Sequence, residues 1–405
     1  MNILNRCVAV LLLIFGLQIN IHAQNVAERK FLASIDSLDV LMRAKFGENN
    51  FQAAEDLCQE MIGLYDAQAS QLSEAYAYFK YAGYYNMACM QVKQGKKQEA
   101  ASNLAKALES GRMEVSYNNV VNDEDFKTIL DEDVLQPVLK RLKETSDYLY
   151  ILKNAPEYTR VQQPDTLPQI VYAPADDPNL VRVREYFQLD SVAVAGDEIA
   201  TIKRILTYIH DEIRHDGQNS NPEGGNNSIN YAEVCKDGSR GLNCRGLATV
   251  LNECYLAIGI PSRVITCMPK TYVTDCHVIN AVYSSTLGKW LWVDPTNNAW
   301  VTDDRGNMLS IQEVRERLIS GQPVQVNEEA NWNNQKKITT EEYLYDYMAK
   351  NLFYLESWTR YGFNTESDHE NLINYIFLQP TGCESSQRRP RNLSVNDDRY
   401  FWQVP

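Results

Sequence analysis

Asn243-Cys244-Arg245-Gly246-Leu247-Ala248, continuing through Leu251, Cys254 and Ile258, is the stretch on which the fold turns. Leu247, Leu251, Cys254 and Ile258 are spaced by four, three and four residues, the spacing of one apolar helix face, and Gly259 with Pro261 supplies a stop. A buried helix is therefore predicted to begin at Cys244. The unsatisfied N–H groups and the positive dipole end of a helix N-terminus favour a thiolate over a thiol, so Cys244 reads as a prepared nucleophile. Cys254, on the apolar face of the same helix, reads as a core side chain.

Downstream, His277-Val278-Ile279-Asn280-Ala281-Val282-Tyr283 and Trp290-Leu291-Trp292-Val293-Asp294 read as two strands around a turn. A four-residue loop Ser284–Leu287 places Tyr283 opposite Gly288 and His277 opposite Asp294, with both side chains on one face. Directly opposed residues have Cβ atoms about 4.5–5.5 Å apart, close enough for a carboxylate to hold one imidazole nitrogen and leave the other for a thiol. The expected roles are Cys244 as nucleophile, His277 as base and Asp294 as the group that orients the base. A backbone N–H near Cys244 offers one oxyanion donor. The second stays open among Gln218, Asn219, Asn230 and Tyr231. Cys276 faces away from His277 along the strand and reads as a packed side chain. His210 and His215, five residues apart, are poorly spaced for a metal and read as an exposed helix end.

Asn243-Cys244-Arg245-Gly246-Leu247-Ala248, His277-Val278-Ile279-Asn280 and Trp292-Val293-Asp294-Pro295-Thr296 resemble the Cys, His and Asp blocks of the transglutaminase-like superfamily. The chain order agrees, and the gaps of 33 and 17 residues resemble its compact bacterial members. The resemblance covers roughly residues 196–320. It implies an α+β, papain-like core whose nucleophile helix packs on an antiparallel sheet carrying His277 and Asp294. It also implies thiol chemistry on the amide bonds of a protein or peptide. Because water is abundant outside the cytoplasm, hydrolysis through a thioester, as in a peptidase or amidase, comes first. The alternatives are a cross-linking or deamidating acyltransferase and a non-catalytic scaffold with partner-binding helical repeats.

The rest of the chain frames this core. Residues 24–148 read as a helical domain in which Tyr84, Met87, Ala88, Gly95, Ala100, Leu104 and Ala107 fall at offsets resembling a tetratricopeptide pair. Gln91 departs from that pattern where an aromatic residue is usual, and this domain is the expected site for a protein partner. Five prolines between Pro156 and Pro178 point to an extended linker over 149–195. Ile199, Ile202, Leu206, Ile209 and Ile213 follow Gly196-Asp197 at helical spacing and open the core, 196–320. Residues 217–241 read as a long loop leading to Cys244. An extension, 321–405, carries Trp332, Tyr343, Tyr345, Tyr347, Phe353, Tyr354, Trp358 and Tyr400-Phe401-Trp402, aromatic surface expected to fold back over the core or line its cleft.

Of the 405 residues, 44% are apolar and the formal charge is −14, which argues against nucleic acid as a partner. No pair of cysteines has the two-residue gap of zinc or redox sites, and neither a metal nor an organic cofactor is indicated. Arg6, the apolar run Cys7–Leu17 and Ala23 read as a cleaved signal peptide, residues 1–23, because that run is far shorter than the ~20 residues a bilayer span needs. An exported protein, periplasmic or extracellular and free of the membrane after cleavage, is expected. N-terminal sequencing of exported material should begin at Gln24; a start before residue 20 contradicts the cleavage.

Overall fold

The computed structural model describes residues 26–109, 115–159, 167–271, 275–367, 375–385 and 393–405. The predicted signal peptide and its cleavage point lie outside them. The chain divides into two compact units, one ending at Asp147 and one beginning at Tyr148.

In the first unit, α1 (Val26–Gly47), α2 (Phe51–Gln68), α3 (Ala77–Lys93) and α4 (Lys97–Ala107) pack each on the next, followed by α5 (Tyr117–Asn122) and α6 (Gln136–Ser146). Asn50 caps α2 by accepting from Ala53 N–H. Gly95, at φ +76°, turns the chain between α3 and α4, and Ala88, Ala100, Leu104 and Ala107 are fully buried. Gln91 is buried too. Its amide donates to Glu55 Oε1 at 2.7 Å and accepts from Asn103 at 2.9 Å, so a polar side chain in the core keeps its hydrogen bonds.

The second unit departs from the extended linker expected over 149–195. That stretch forms α7 (Tyr148–Lys153), β1 (Val171–Tyr172), α8 (Pro178–Tyr186) and α9 (Leu189–Val192), and Leu180, Val183, Phe187 and Leu189 enter the core. Pro178 starts a helix here instead of breaking one. It occupies the first turn of α8, where no N–H is needed, behind an Asp177 cap that accepts from Asn179 N–H at 2.9 Å. α10 (Glu198–Glu212) is capped in the same way by Asp197, and α11 (Ser228–Cys235) interrupts the predicted loop 217–241. The nucleophile helix is α12 (Cys244–Ala257).

α12 packs on β2 (Ser262–Met268) and β3 (His277–Ser284), the middle of an eight-stranded sheet. The sheet continues on one side through β4 (Lys289–Asp294), β5 (Ala299–Thr302) and β6 (Gln325–Val326). Between β5 and β6 lies α13 (Ile311–Ser320). On the other side β2 pairs with β7 (Tyr354–Trp358), then β8 (Tyr375–Leu378) and β9 (Leu393–Val395) follow. The C-terminal extension thus supplies strands to the sheet itself. Alternation sorts the strand residues: Val264, Val278, Val282, Leu291 and Val293 join the core that includes α8, α10 and α12. Ile265, Ile279 and Trp292 pack with Val314, Leu318, Leu344 and Leu352.

The β3–β4 register differs from the sequence reading by two residues. Ser284 opposes Lys289 and Asn280 opposes Val293, so the loop is Ser285–Gly288 and His277 lies diagonal to Asp294. The turn explains the shift: Gly288 takes φ +66°, and the Glu198 carboxylate accepts from Ser284 Oγ (2.5 Å), Ser285 N (3.0 Å), Ser285 Oγ (2.7 Å) and Thr286 N (3.0 Å). A shift of two keeps every side chain on its face, whereas a shift of one would have separated His277 from Asp294.

Partial burial works against the charged Glu198, yet the donors from Ser284, Ser285 and Thr286 outweigh it and hold its pKa at about 2. A carboxyl depressed in the folded state contributes stability above its ordinary pKa near 4.5, lost as pH falls toward 2. Glu198→Gln should therefore cost about 1 kcal/mol at neutral pH, a figure kept small because the carboxylate is largely solvated. Urea denaturation should show this gap between wild type and variant closing from pH 4.5 downward.

Candidate active site

Asn243 decides where α12 begins. Its extended backbone (φ −70°, ψ 173°) stands outside the helix, and its side chain accepts from Gly246 N–H at 2.9 Å. The first ladder bond runs from Leu247 N to Asn243 O, 3.1 Å, leaving the N–H groups of Cys244 and Arg245 ahead of the ladder. The Asn243 amide also donates to Asn219 O (3.1 Å) and Asn221 Oδ1 (3.2 Å), tying the incoming loop to the helix start. Cys244 is thus fixed at a helix N-terminus and is partly exposed.

Burial raises the thiol pKa, but the hydrogen bond and charge of His277, the Val278 N–H and the Arg245 cation outweigh it, so Cys244 sits below an ordinary thiol. Arg245 is itself held by Glu366 at 2.7 Å and by Thr266 Oγ1 at 2.9 Å. His277 is 3% exposed and bonds Asp294 Oδ2 through Nε2 at 2.7 Å, which leaves Nδ1 for the thiol. Burial opposes the imidazolium, yet the Asp294 charge and hydrogen bond, with Cys244, raise its pKa.

Asp294 is 0% exposed and wholly satisfied. Oδ1 accepts from Thr296 N (2.8 Å), and Oδ2 accepts from His277, Asn297 Nδ2 (3.0 Å) and Tyr343 OH (2.6 Å). Trp292 Nε1 donates in turn to Tyr343 OH at 3.1 Å. Burial raises the Asp294 pKa, but His277, Tyr343 and Asn297 bring it below the usual carboxylate value. The arrangement can hold a thiolate–imidazolium pair and pass a proton across it.

The three candidate residues therefore meet in one hydrogen-bonded row. Several other expectations need correction. His210 is no exposed helix end: it is buried, with Nδ1 on Pro295 O (2.9 Å) and Nε2 on Asn331 Oδ1 (3.0 Å), and braces the chain immediately after Asp294. His215 is half-buried and accepts at Nδ1 from Trp332 Nε1, 3.0 Å. Cys276 is exposed, because the strand begins only at His277. Three of the proposed oxyanion donors are engaged elsewhere: Asn230 on Glu223 O and Gly225 O, Tyr231 on Asn226, and Asn219 on Asp216. Gln218 is exposed. Cys254, by contrast, is the core side chain expected: it is fully buried, and burial pushes its thiol well above the ordinary value.

Sequence reading missed Tyr343 and Tyr347 as individual site residues. Both lie on the π-helical turn Glu341–Met348, whose i→i+5 bonds put more than four residues in a turn, so residues four apart fall near one face. The Tyr347 ring meets His277 edge-on at 5.4 Å, and its OH donates to Asp275, which also pairs with Lys350 at 2.6 Å. The signal available was the aromatic spacing in Tyr343-Leu344-Tyr345-Asp346-Tyr347. Among the described residues, Cys89, Asp123 and Asp125 bring ligand-type atoms within 4.8 Å of one another. Asp123 already accepts from Tyr85 OH (2.7 Å) and Asp125 pairs with Lys93 (2.8 Å), so these oxygens are engaged by protein groups.

Residues 188–295 match the family model described as the transglutaminase-like superfamily. No curated protein and no solved structure matches the chain. The matched span runs from the start of α9 through the nucleophile helix and the His277 hairpin to the residue after Asp294. The second unit therefore carries a transglutaminase-like superfamily domain at residues 188–295, and members of that superfamily are generally cysteine enzymes.

Proposed function

We propose that this protein is an exported thiol enzyme that hydrolyses amide bonds of a protein or peptide through Cys244, His277 and Asp294. The observation that carries the reading is the closed row from Tyr343 OH through Asp294 and His277 to the Cys244 thiol, in which the carboxylate has no exposure and no unused oxygen. The Cys244 thiolate attacks the amide carbonyl carbon, the C–N bond breaks, and His277 gives its proton to the departing amine. Water then attacks the thioester, His277 takes a proton from it, the C–S bond breaks, and the acid leaves as the thiolate–imidazolium pair is restored. Asp294 holds the ring by Nε2 and offsets the imidazolium charge.

Hydrolysis is preferred over cross-linking because a transferase must favour an amine over water, and no residue pattern here supplies that preference. The apolar segment ahead of Ala23 supports export to the periplasm or beyond. The helical first unit, with its close α3–α4 pair of tetratricopeptide-like spacing, is the proposed surface for a protein partner or substrate.

Iodoacetamide labelling of Cys244, followed by mass spectrometry across pH, tests the reading. A depressed thiol and a raised imidazole predict fast labelling well below the ~8.5 of a free cysteine. His277→Ala should slow it at least about tenfold near neutral pH. Slow labelling that ignores the substitution contradicts the thiol-enzyme reading.

A further inference from the structure

We propose that His215 is a further catalytic residue, donating its Nε2–H to the substrate's carbonyl oxygen, and that Trp332 is the positioning residue that fixes this tautomer. The inference rests on the thiol-enzyme reading of Cys244. His215 forms a parallel bridge with Leu242, two residues before the nucleophile. Asp216 N donates to Leu242 O (2.6 Å) and Leu242 N to Arg214 O (3.1 Å), so the two chains run side by side up to the helix start. Gly241 permits this approach, since a Cβ there would lie 2.3 Å from Arg214 O.

An indole N–H can only donate, so the 3.0 Å contact from Trp332 Nε1 makes His215 Nδ1 an acceptor. In the neutral ring the proton then sits on Nε2. Burial and the positive charge of His277 both push the His215 pKa down, which keeps the ring neutral beside the imidazolium. A neutral N–H donor can serve a developing oxyanion without repelling His277.

Trp332 is 37% exposed and contributes little to the core. It stands on a small hairpin, Asn331–Trp332 paired with Lys336–Lys337, beyond the matched domain. Asn333 and Asn334 take positive φ (54° and 56°) at its turn. Asn333 accepts from His215 N (2.6 Å) and donates to His215 O (3.0 Å), while Asn334 donates to Asp211 (2.8 Å). The hairpin thus grips the backbone of the one histidine to which its indole donates. With Asn219, Asn230 and Tyr231 engaged elsewhere and Gln218 exposed, the His215 Nε2–H is the side-chain donor proposed to complement the Cys244 N–H.

Two reagents acting on the same thiol in the full chain separate the roles. Acylation by p-nitrophenyl acetate passes through an oxyanion, whereas alkylation by iodoacetamide does not. His215→Ala should slow acylation of Cys244 at least about tenfold, toward the ~10²–10³ loss typical of one oxyanion donor, and change alkylation by less than about twofold. His215→Gln, which retains an N–H donor, should recover most of the acylation rate. Trp332→Phe should lower acylation about threefold with alkylation unchanged. If acylation and alkylation fall together, or if neither moves, the donor role is overturned. A wild-type thiol inert to both reagents overturns the thiol reading and this proposal with it.

Discussion

A buried carboxylate must be solvated by protein or give up its charge. Asp294 is solvated by a backbone amide, a side-chain amide, a phenol and an imidazole, each from a different residue. Those donors set the local architecture. Thr296 and Asn297 come from the turn that follows β4, His277 from the neighbouring strand and Tyr343 from the π-helical turn. Removing one partner of such a pair typically costs ~3–5 kcal/mol, so the strand end, the turn and the tyrosine are constrained together. The Cys244–His277 pair inherits its geometry from that constraint.

The sheet makes this possible by carrying different work on its two faces. One face receives the nucleophile helix through Val278, Val282 and Val293, while the other packs Trp292 and Ile279 with the C-terminal segments. His277 and Asp294 belong by alternation to the second face and sit where β3 begins and β4 ends, and the His277 ring reaches the Cys244 thiol at that margin of the sheet. Residues 188–295 hold Cys244, His277 and Asp294 together with Asn243 and His210, but further groups that orient them lie outside that span. Tyr343 supports the carboxylate, Tyr347 covers the imidazole and Trp332 engages His215, all from beyond residue 320.

Much of this was legible in the sequence because its signals were local. The four-three-four spacing after Asn243 gives α12 its buried face, and the alternating runs around Ser284–Lys289 give the hairpin. The register was misread by two because Gly288 looked like a strand residue, while the Glu198 carboxylate that caps the loop is 86 residues from Ser284. The pairing of faces survived only because the error was even. Pro178 was misread as a breaker because a proline's effect depends on whether it falls at the first turn or the interior. His210 and His215 looked like a solvated helix end since their partners, Asn331 and Trp332, are more than a hundred residues away. Tyr343 was visible as part of an aromatic segment, but its role is set by the sheet that brings Asp294 to it.

The central claim is that Cys244 and His277 form a thiolate–imidazolium pair held by the buried Asp294 carboxylate. Its most direct test is the ultraviolet absorbance of thiolate as a function of pH, taken as the difference between wild type and Cys244→Ser. The account predicts a thiolate signal from Cys244 that persists well below the ~8.5 of a free cysteine and disappears only in acid. A Cys244 signal that appears only at or above that pH would contradict it.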